Sequence, residues 1–259
     1  MSGPEEGQYW DGIYGQVQLD VVRKSLAAPG CHPVYNPVGE YSFREEVFGS
    51  WIASVKTKSA LVVGAGVDKI GIRLATAGCQ VTSLDLSQEA VKLTAGLAAA
   101  AGVAERMHCV CADWEQADLG QTYDLVVFHD SLHHMRLEPA LAQIDRHLSQ
   151  SGVLLALEPI CPLPWVRRLH GWFPFHPFPF LATERELDFA DLRRIEALFG
   201  RVECKFFDLV TRESISVLLF RLGIRQTITR LGSLDAFLLR HIPGLKGLAS
   251  YVILRATRA

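Results

Sequence analysis

Four side chains able to move protons or hold charge crowd into one short stretch: His129, Asp130, His133 and His134. Histidine titrates nearest neutrality, so an imidazole steadied by a carboxylate can take a proton from a hydroxyl or an acidic carbon. His133 and His134 are the candidates for that role, and Asp130 or Glu158 could orient either ring. A metal site built from His129, His133 and His134 is not expected, because the spacing brings no matching set of carboxylates or cysteines.

A second group of residues suits a nucleotide-like ligand. Gly64-Ala65-Gly66 follows an apolar run, and glycine there lets the backbone turn and come close to a bound molecule. Asp85 follows about twenty residues later, where a carboxylate can accept hydrogen bonds from both hydroxyls of a ribose. Asp113 can accept from the exocyclic amine of adenine, and Trp114 can pack on the purine face. The same two residues could equally be a helix cap and a core filler. Read by themselves, these features also fit a nicotinamide dinucleotide.

The elements that must position these residues follow from apolar periodicity. Residues 60–63, 79–84, 107–111, 123–128 and 152–157 read as strands, ending respectively at the glycine turn, at Asp85, at Asp113, at His129 and at Glu158. Residues 70–77, 87–101 and 137–148 read as helices between them. Strand and helix alternate at short intervals, which predicts right-handed βαβ units and a parallel sheet covered on both faces. In such sheets ligands bind beyond the carboxyl ends of the strands, so the polar residues at those ends point to one crevice. Upstream, residues 5–26 and 42–55 carry helical spacing, the latter with Ser42 as cap and Glu45 three residues on, and residues 29–39 form a loop. Downstream, residues 183–199 read as a helix, and residues 202–210 and 251–256 as two further strands.

The chain has 259 residues, a net charge of −2 and 49% hydrophobic residues. That length suits one large α/β domain. Near-neutral charge gives no general drive towards nucleic acid. Six scattered cysteines without a Cys-x-x-Cys pair suggest reduced core residues and a cytoplasmic setting. Residues 1–9 lack the basic-then-apolar pattern of a secretory leader.

Taken in order, Leu61-Val62-Val63-Gly64-Ala65-Gly66, Val81-Thr82-Ser83-Leu84-Asp85-Leu86-Ser87, Cys111-Ala112-Asp113-Trp114, residues 123–134 and residues 148–155 resemble a class I S-adenosylmethionine-dependent methyltransferase. The resemblance covers residues 60–158, about two-fifths of the chain. It implies a doubly wound, mostly parallel seven-stranded α/β sheet that ends in an antiparallel strand pair. S-adenosyl-L-methionine would be the cofactor. Gly64, Ala65 and Gly66 would line its methionine portion, Asp85 and Leu86 its ribose, and Asp113 and Trp114 its adenine, with His129 beside the sulfonium. The segment Tyr9-Trp10-Asp11-Gly12-Ile13-Tyr14 resembles the arm that closes over the cofactor. Two positions depart from the family pattern. Val62 and Val63 stand where an acidic residue is frequent, and Asp68 replaces the third glycine of the turn, either to bond the cofactor or to cap the next helix.

On this reading residues 1–259 form one domain: an N-terminal arm over 1–58, the cofactor core over 59–158, and a substrate-side half over 159–259 with insertions at 160–188 and 211–249. The first insertion is rich in proline and aromatics and suits a lid or apolar pocket wall. The second is amphipathic and basic, with Arg212, Arg221, Arg225, Arg230, Arg240 and Lys246 against Glu213 and Asp235. Such a surface can rest on anionic lipid. The expected activity is therefore methyl transfer to oxygen or carbon of a small, apolar or lipid-like acceptor, with peripheral membrane contact through the basic segment. An NAD-dependent oxidoreductase and a non-catalytic binding protein of the same fold are the alternatives.

Overall fold

Apolar runs too short for a helix satisfy their backbone by pairing side by side. In the computed structural model, which describes residues 3–20, 43–163, 165, 185–209 and 225–258, seven such runs form one sheet. These are β1 (Ser59–Val63), β2 (Gln80–Asp85), β3 (Met107–Cys111), β4 (Tyr123–His129), β5 (Leu148–Pro159), β6 (Arg201–Phe207) and β7 (Tyr251–Thr257), in the order β3-β2-β1-β4-β5-β7-β6. The first five are parallel. β7 lies antiparallel between β5 and β6. The sheet is the expected doubly wound one with a terminal antiparallel pair.

Successive side chains of a strand point to opposite faces, so each inner strand feeds two cores. Leu61, Val63, Val126, Phe128, Leu154 and Ala156 pack with α5 (Leu137–His147) and α6 (Phe189–Phe199). Ala60, Val62, Leu125, Val127, Leu155 and Leu157 pack on the other face with α2 (Phe43–Ser54), α3 (Lys69–Thr76) and α4 (Gln88–Ala100). Two further helices, α1 (Gly3–Tyr14) and α7 (Arg225–His241), complete the described elements of this length.

Differences from the sequence reading have local causes. α6 begins at residue 189 rather than 183, because Asp188 accepts from the N–H groups of Ala190 and Asp191 while Asp191 returns the bond to Asp188. β5 begins at Leu148, opposite Tyr123, since the chain pairs again as soon as α5 ends. Ser87 caps α4 as expected. Cys79 and Cys161 are buried, but Cys111 on the edge strand β3 is exposed, so the cysteines are not uniformly core residues. The expected loop 29–39, Ser42, Cys31, residues 166–184 of the first insertion and 210–224 of the second lie outside the described residues. Among those described, no helix is long and apolar enough to cross a membrane.

Candidate active site

Chain order reverses between the neighbours β1 and β4. That is the switch point at which open α/β sheets gather ligands. Gly64 and Gly66 take φ of 59° and 52°, the left-handed region that favours glycine. A Cβ on Gly64 would fall 2.5 Å from Cβ of Ser131. Glycine here thus lets the loop after β4 pack directly against the loop after β1. The turn's N–H groups are engaged within the protein: Ala65 donates to the Leu84 carbonyl at 3.1 Å and Gly66 to Asp85 Oδ2 at 2.6 Å.

Asp85 is the link between two loops. Its other oxygen accepts from the Ser87 N–H at 2.8 Å, joining the glycine turn to the start of α4. Burial raises its pKa against the pull of the N–H groups of Ser87 and Gly66. Each carboxylate oxygen has two acceptor directions, so these bonds leave capacity for hydroxyls. Asp68 is buried and accepts from the Gly71 N–H at 2.5 Å, so it caps α3. Burial pushes its pKa up to about 6, against that bond and one from Ser83.

Asp113 accepts from the Glu115 N–H and the Gln116 side-chain amide, both at 2.9 Å, and so braces its own loop. Trp114 departs from the expected purine contact. Its ring is 2% exposed and lies in the core, 6.1 Å from Phe128 and 5.7 Å from His147. The residue after an outward-facing aspartate at a strand end turns inward, and here the inward space takes a large ring.

α1 runs across the ends of β2 and β3. Gly3 approaches Asp113, Gly7 packs on Leu86, and Asp11 Oδ1 accepts from the Ser87 hydroxyl at 2.6 Å and the Glu89 N–H at 3.0 Å. Glu6 comes within 3.3 Å of His134 Nδ1, and the Trp10 ring meets the His134 ring edge-on at 5.7 Å. His134 is therefore held by the arm rather than by Asp130 or Glu158.

Glu158 is fully buried and organises the loop after β4. Its oxygens accept from the N–H groups of Ser131 (3.1 Å), Leu132 (2.9 Å) and His133 (3.3 Å), and from His133 Nδ1 at 2.8 Å. Burial alone would raise its pKa, but the His133 imidazole and these N–H groups hold it below the usual range. Its approaches are thus taken by the loop and the His133 ring, and its side chain has no exposed surface. His129 pairs with both oxygens of Glu45 at 3.0 Å, and its Nδ1 lies 3.9 Å from Asp130 Oδ2.

Residues 61–156 match a protein-family model described as a methyltransferase domain. The match covers less than half of the 259 residues and marks that part of the chain as similar to methyltransferase domains. No curated protein sequence matches it. Among solved structures, the 4+2 cyclase SpnF is similar at 17% identity and TM-score 0.61, over 100% of this chain and 97% of that one. A geranyl diphosphate methyltransferase in complex with SAM is similar at 15% identity and TM-score 0.57, over 83% and 85%. The glycopeptide N-methyltransferase MtfA matches at 21% identity and TM-score 0.40, over 44% of this chain and 51% of that one, so the chain spans about half of its length. At these identities the likeness is one of fold.

The fold brings Gly64, Asp85, Asp113, His129, His133 and His134 to one edge of the sheet. Sequence reading missed Glu45, Glu6 and Asp11. Glu45 was expected to close a capping box with Ser42, which lies outside the described residues; its side chain reaches across to His129, 84 positions away in the chain. Among described residues, ligand atoms of Glu45, His129 and Asp130 lie within 4.8 Å of one another, a cluster that the histidine spacing did not reveal.

Proposed function

We propose that this protein transfers a methyl group from S-adenosylmethionine to a hydroxyl or acidic carbon of a small, apolar or lipid-like acceptor. The observation that carries this reading is the ordered edge Gly64, Asp85 and Asp113 at the ends of β1, β2 and β3, inside residues that match a methyltransferase domain. The fit to the cofactor rests on the protein's own geometry. Gly64 and Gly66 hold the left-handed turn that lets the backbone come close to a ligand, and Asp130 Oδ1, just past β4, is buried without a hydrogen-bond partner. Asp85 would hold the ribose hydroxyls and Asp113 the adenine amine. The arm α1 would cover this side and exclude water.

When bound, the cofactor supplies a sulfonium methyl carbon open to in-line attack, so alignment and desolvation are the main tasks. Glu158, held ionised and 2.8 Å from His133 Nδ1, would keep a proton on that nitrogen. Nε2 is then the basic atom, and it takes the proton released by the acceptor hydroxyl or carbon. Glu158 holds the ring in one tautomer and one direction.

Support for an apolar acceptor comes from the substrate-side half. Its aromatic segment lies mostly outside the described residues, but Trp165, Leu234, Phe237 and Ile242 are large, apolar and exposed. Leu234 and Phe237 are three apart on α7, with Arg230 and Arg240 exposed on the same helix. Asp235, expected to oppose these cations, is buried and accepts from the Leu209 N–H, so the outward surface is more basic than the sequence suggested. An apolar and cationic surface of this kind can rest on anionic lipid. Arg212, Glu213 and Arg221 lie outside the described residues.

Calorimetric titration with S-adenosylmethionine and S-adenosylhomocysteine tests the proposal. Binding at about micromolar affinity, weakened by about a hundredfold in Asp85→Ala, is the expected result. A folded protein that binds neither ligand but quenches with NADH would overturn it in favour of a dinucleotide enzyme.

A further inference from the structure

The sheet ends on β6, which has no strand on its outer side among the described residues. The N–H and C=O groups of successive strand residues point to alternate edges. The Phe207 carbonyl accepts from the Ser250 N–H on the β7 side, so the odd-numbered residues of β6 bond to β7. The backbone groups of Val202, Cys204 and Phe206 therefore face outward. An open row of this kind is a template for another strand.

The side chains of β6 alternate as well. Val202, Cys204 and Phe206 pack towards α6 and the core beneath it. Arg201, Glu203 and Lys205 are exposed on the opposite face, with Lys205 Nζ 4.8 Å over the Trp51 ring. Charges on an edge strand ordinarily keep other strands away, but these read plus, minus, plus. An antiparallel second copy centred on Cys204 keeps all 7 residues of β6 paired. It sets Glu203 of each copy opposite Lys205 of the other, and Val202 opposite Phe206. Centring on Glu203 would bring Glu203 against Glu203, and centring on Val202 would run past β6 into Gly200 and the end of α6. The full-length register is the charge-matched one.

The helix over this edge repeats the pattern. A groove of about 270 Å³ runs between α6 and β6, lined by Phe189, Leu192, Arg193, Glu196, Val202 and Cys204. Its floor is apolar, and its rim holds one exposed cation and one exposed acid a helical turn apart. A two-fold axis reverses α6, which turns the cation of one rim towards the acid of the other. It also places Phe206 of the second copy beside Val202, at the mouth of the groove.

We infer that the β6 edge and the groove beside it form an interface for a second copy of this chain, paired antiparallel about a two-fold axis at Cys204. The two sheets then run on as one, and the open N–H and C=O groups of each edge bond to the other. Such an interface is closed, because neither copy keeps a free β6 edge for a third. It is separated from the β1–β4 switch point by β5 and β7, so it does not depend on the methyl-transfer reading.

Sedimentation velocity of the full chain tests the interface. The expected species, at on the order of 10 μM, has twice the 28.7 kDa mass of one chain. Glu203→Lys sets lysines opposite each other on both sides of the axis, and the dimer should weaken about tenfold or more. Lys205→Glu should do the same with acids. The two changes together reverse every pair and should restore the dimer, which separates charge matching from a folding defect. Hydrogen exchange gives a second readout: the N–H groups of Val202, Cys204 and Phe206 are expected to be protected in the dimer and to exchange in Glu203→Lys. A monomer at on the order of 100 μM would overturn the proposal. So would a dimer insensitive to both single reversals, or one that the double reversal fails to restore.

Discussion

Two histidine–glutamate pairs stand a few residues apart at the end of β4, and they are built differently. In the His133–Glu158 pair the carboxylate is fully buried and accepts three backbone N–H groups as well as the imidazole. In the His129–Glu45 pair both partners are nearly a third exposed and bond chiefly to each other. The first glutamate is scaffold: it fixes a loop and, through the loop, a ring. The second is open to solvent. The lesson is that a short histidine–carboxylate distance does not define a role. What the carboxylate's remaining lone pairs are doing does.

Removing each carboxylate separates the two kinds of pair. Glu158→Ala leaves the buried N–H groups of Ser131 and Leu132 without an acceptor, and the expected loss of stability is about 3–5 kcal/mol. Urea unfolding measures it, and a loss under about 1 kcal/mol would mean that the loop is held by something else.

The His129–Glu45 pair shows itself in the pH dependence of unfolding. The His129 pKa is raised from 6.5 to about 9 in the folded protein, so its contribution is complete below 6.5 and is lost as pH rises through 9. Glu45 is lowered from 4.5 to about 2, so its contribution is complete above 4.5 and is lost as pH falls through 2. The pair therefore stabilises most between pH 4.5 and 6.5. The groups that set these values are Asp130 and Glu158 around His129, and Arg44 and Arg73 around Glu45. A decline of roughly 1–2 kcal/mol between neutral pH and pH 10, after solvent screening, is expected, and Glu45→Gln should flatten it. An unchanged alkaline limb in that variant would show that the pair contributes nothing.

The smallest effect belongs to Asp68, a buried carboxylate that serves neither pair. Its pKa is raised from 3.8 to about 6, so its favourable contribution is present below 3.8 and lost above 6. Asp68→Asn keeps an acceptor for the Gly71 N–H and removes the buried charge. A gain of about 1 kcal/mol or less at neutral pH is expected, vanishing below pH 3.8. A marked loss instead would make the charge part of the site.

Local chemistry explains which features were legible. The strands and the helices between residues 59 and 159 stand out because buried parallel strands are nearly all apolar and end abruptly at a glycine or an acid. Ser87 is a side chain that acts within three residues of itself, so its cap can be read locally, whereas the equally local cap at Asp188 was passed over for a helix start at residue 183. Trp114 was left open between the purine and the core, because an aromatic beside an aspartate looks the same whether it faces a purine or Phe128. The pairing of Glu45 with His129 was not legible, because a partner 84 positions away leaves no local signal. The arm α1 was anticipated, but not that Glu6 and Asp11 would be its anchors.

By itself the sequence determined the order of strands and helices and the line of glycine and carboxylates along their ends, because backbone pairing, period-two burial and capping act over short spans of chain. Only the tertiary structure decided which histidine meets which glutamate. Those contacts join residues 25 and 84 positions apart, and their character depends on solvent exposure and on lone pairs already taken, quantities that exist only once α2 and the loop after β4 have packed against the sheet.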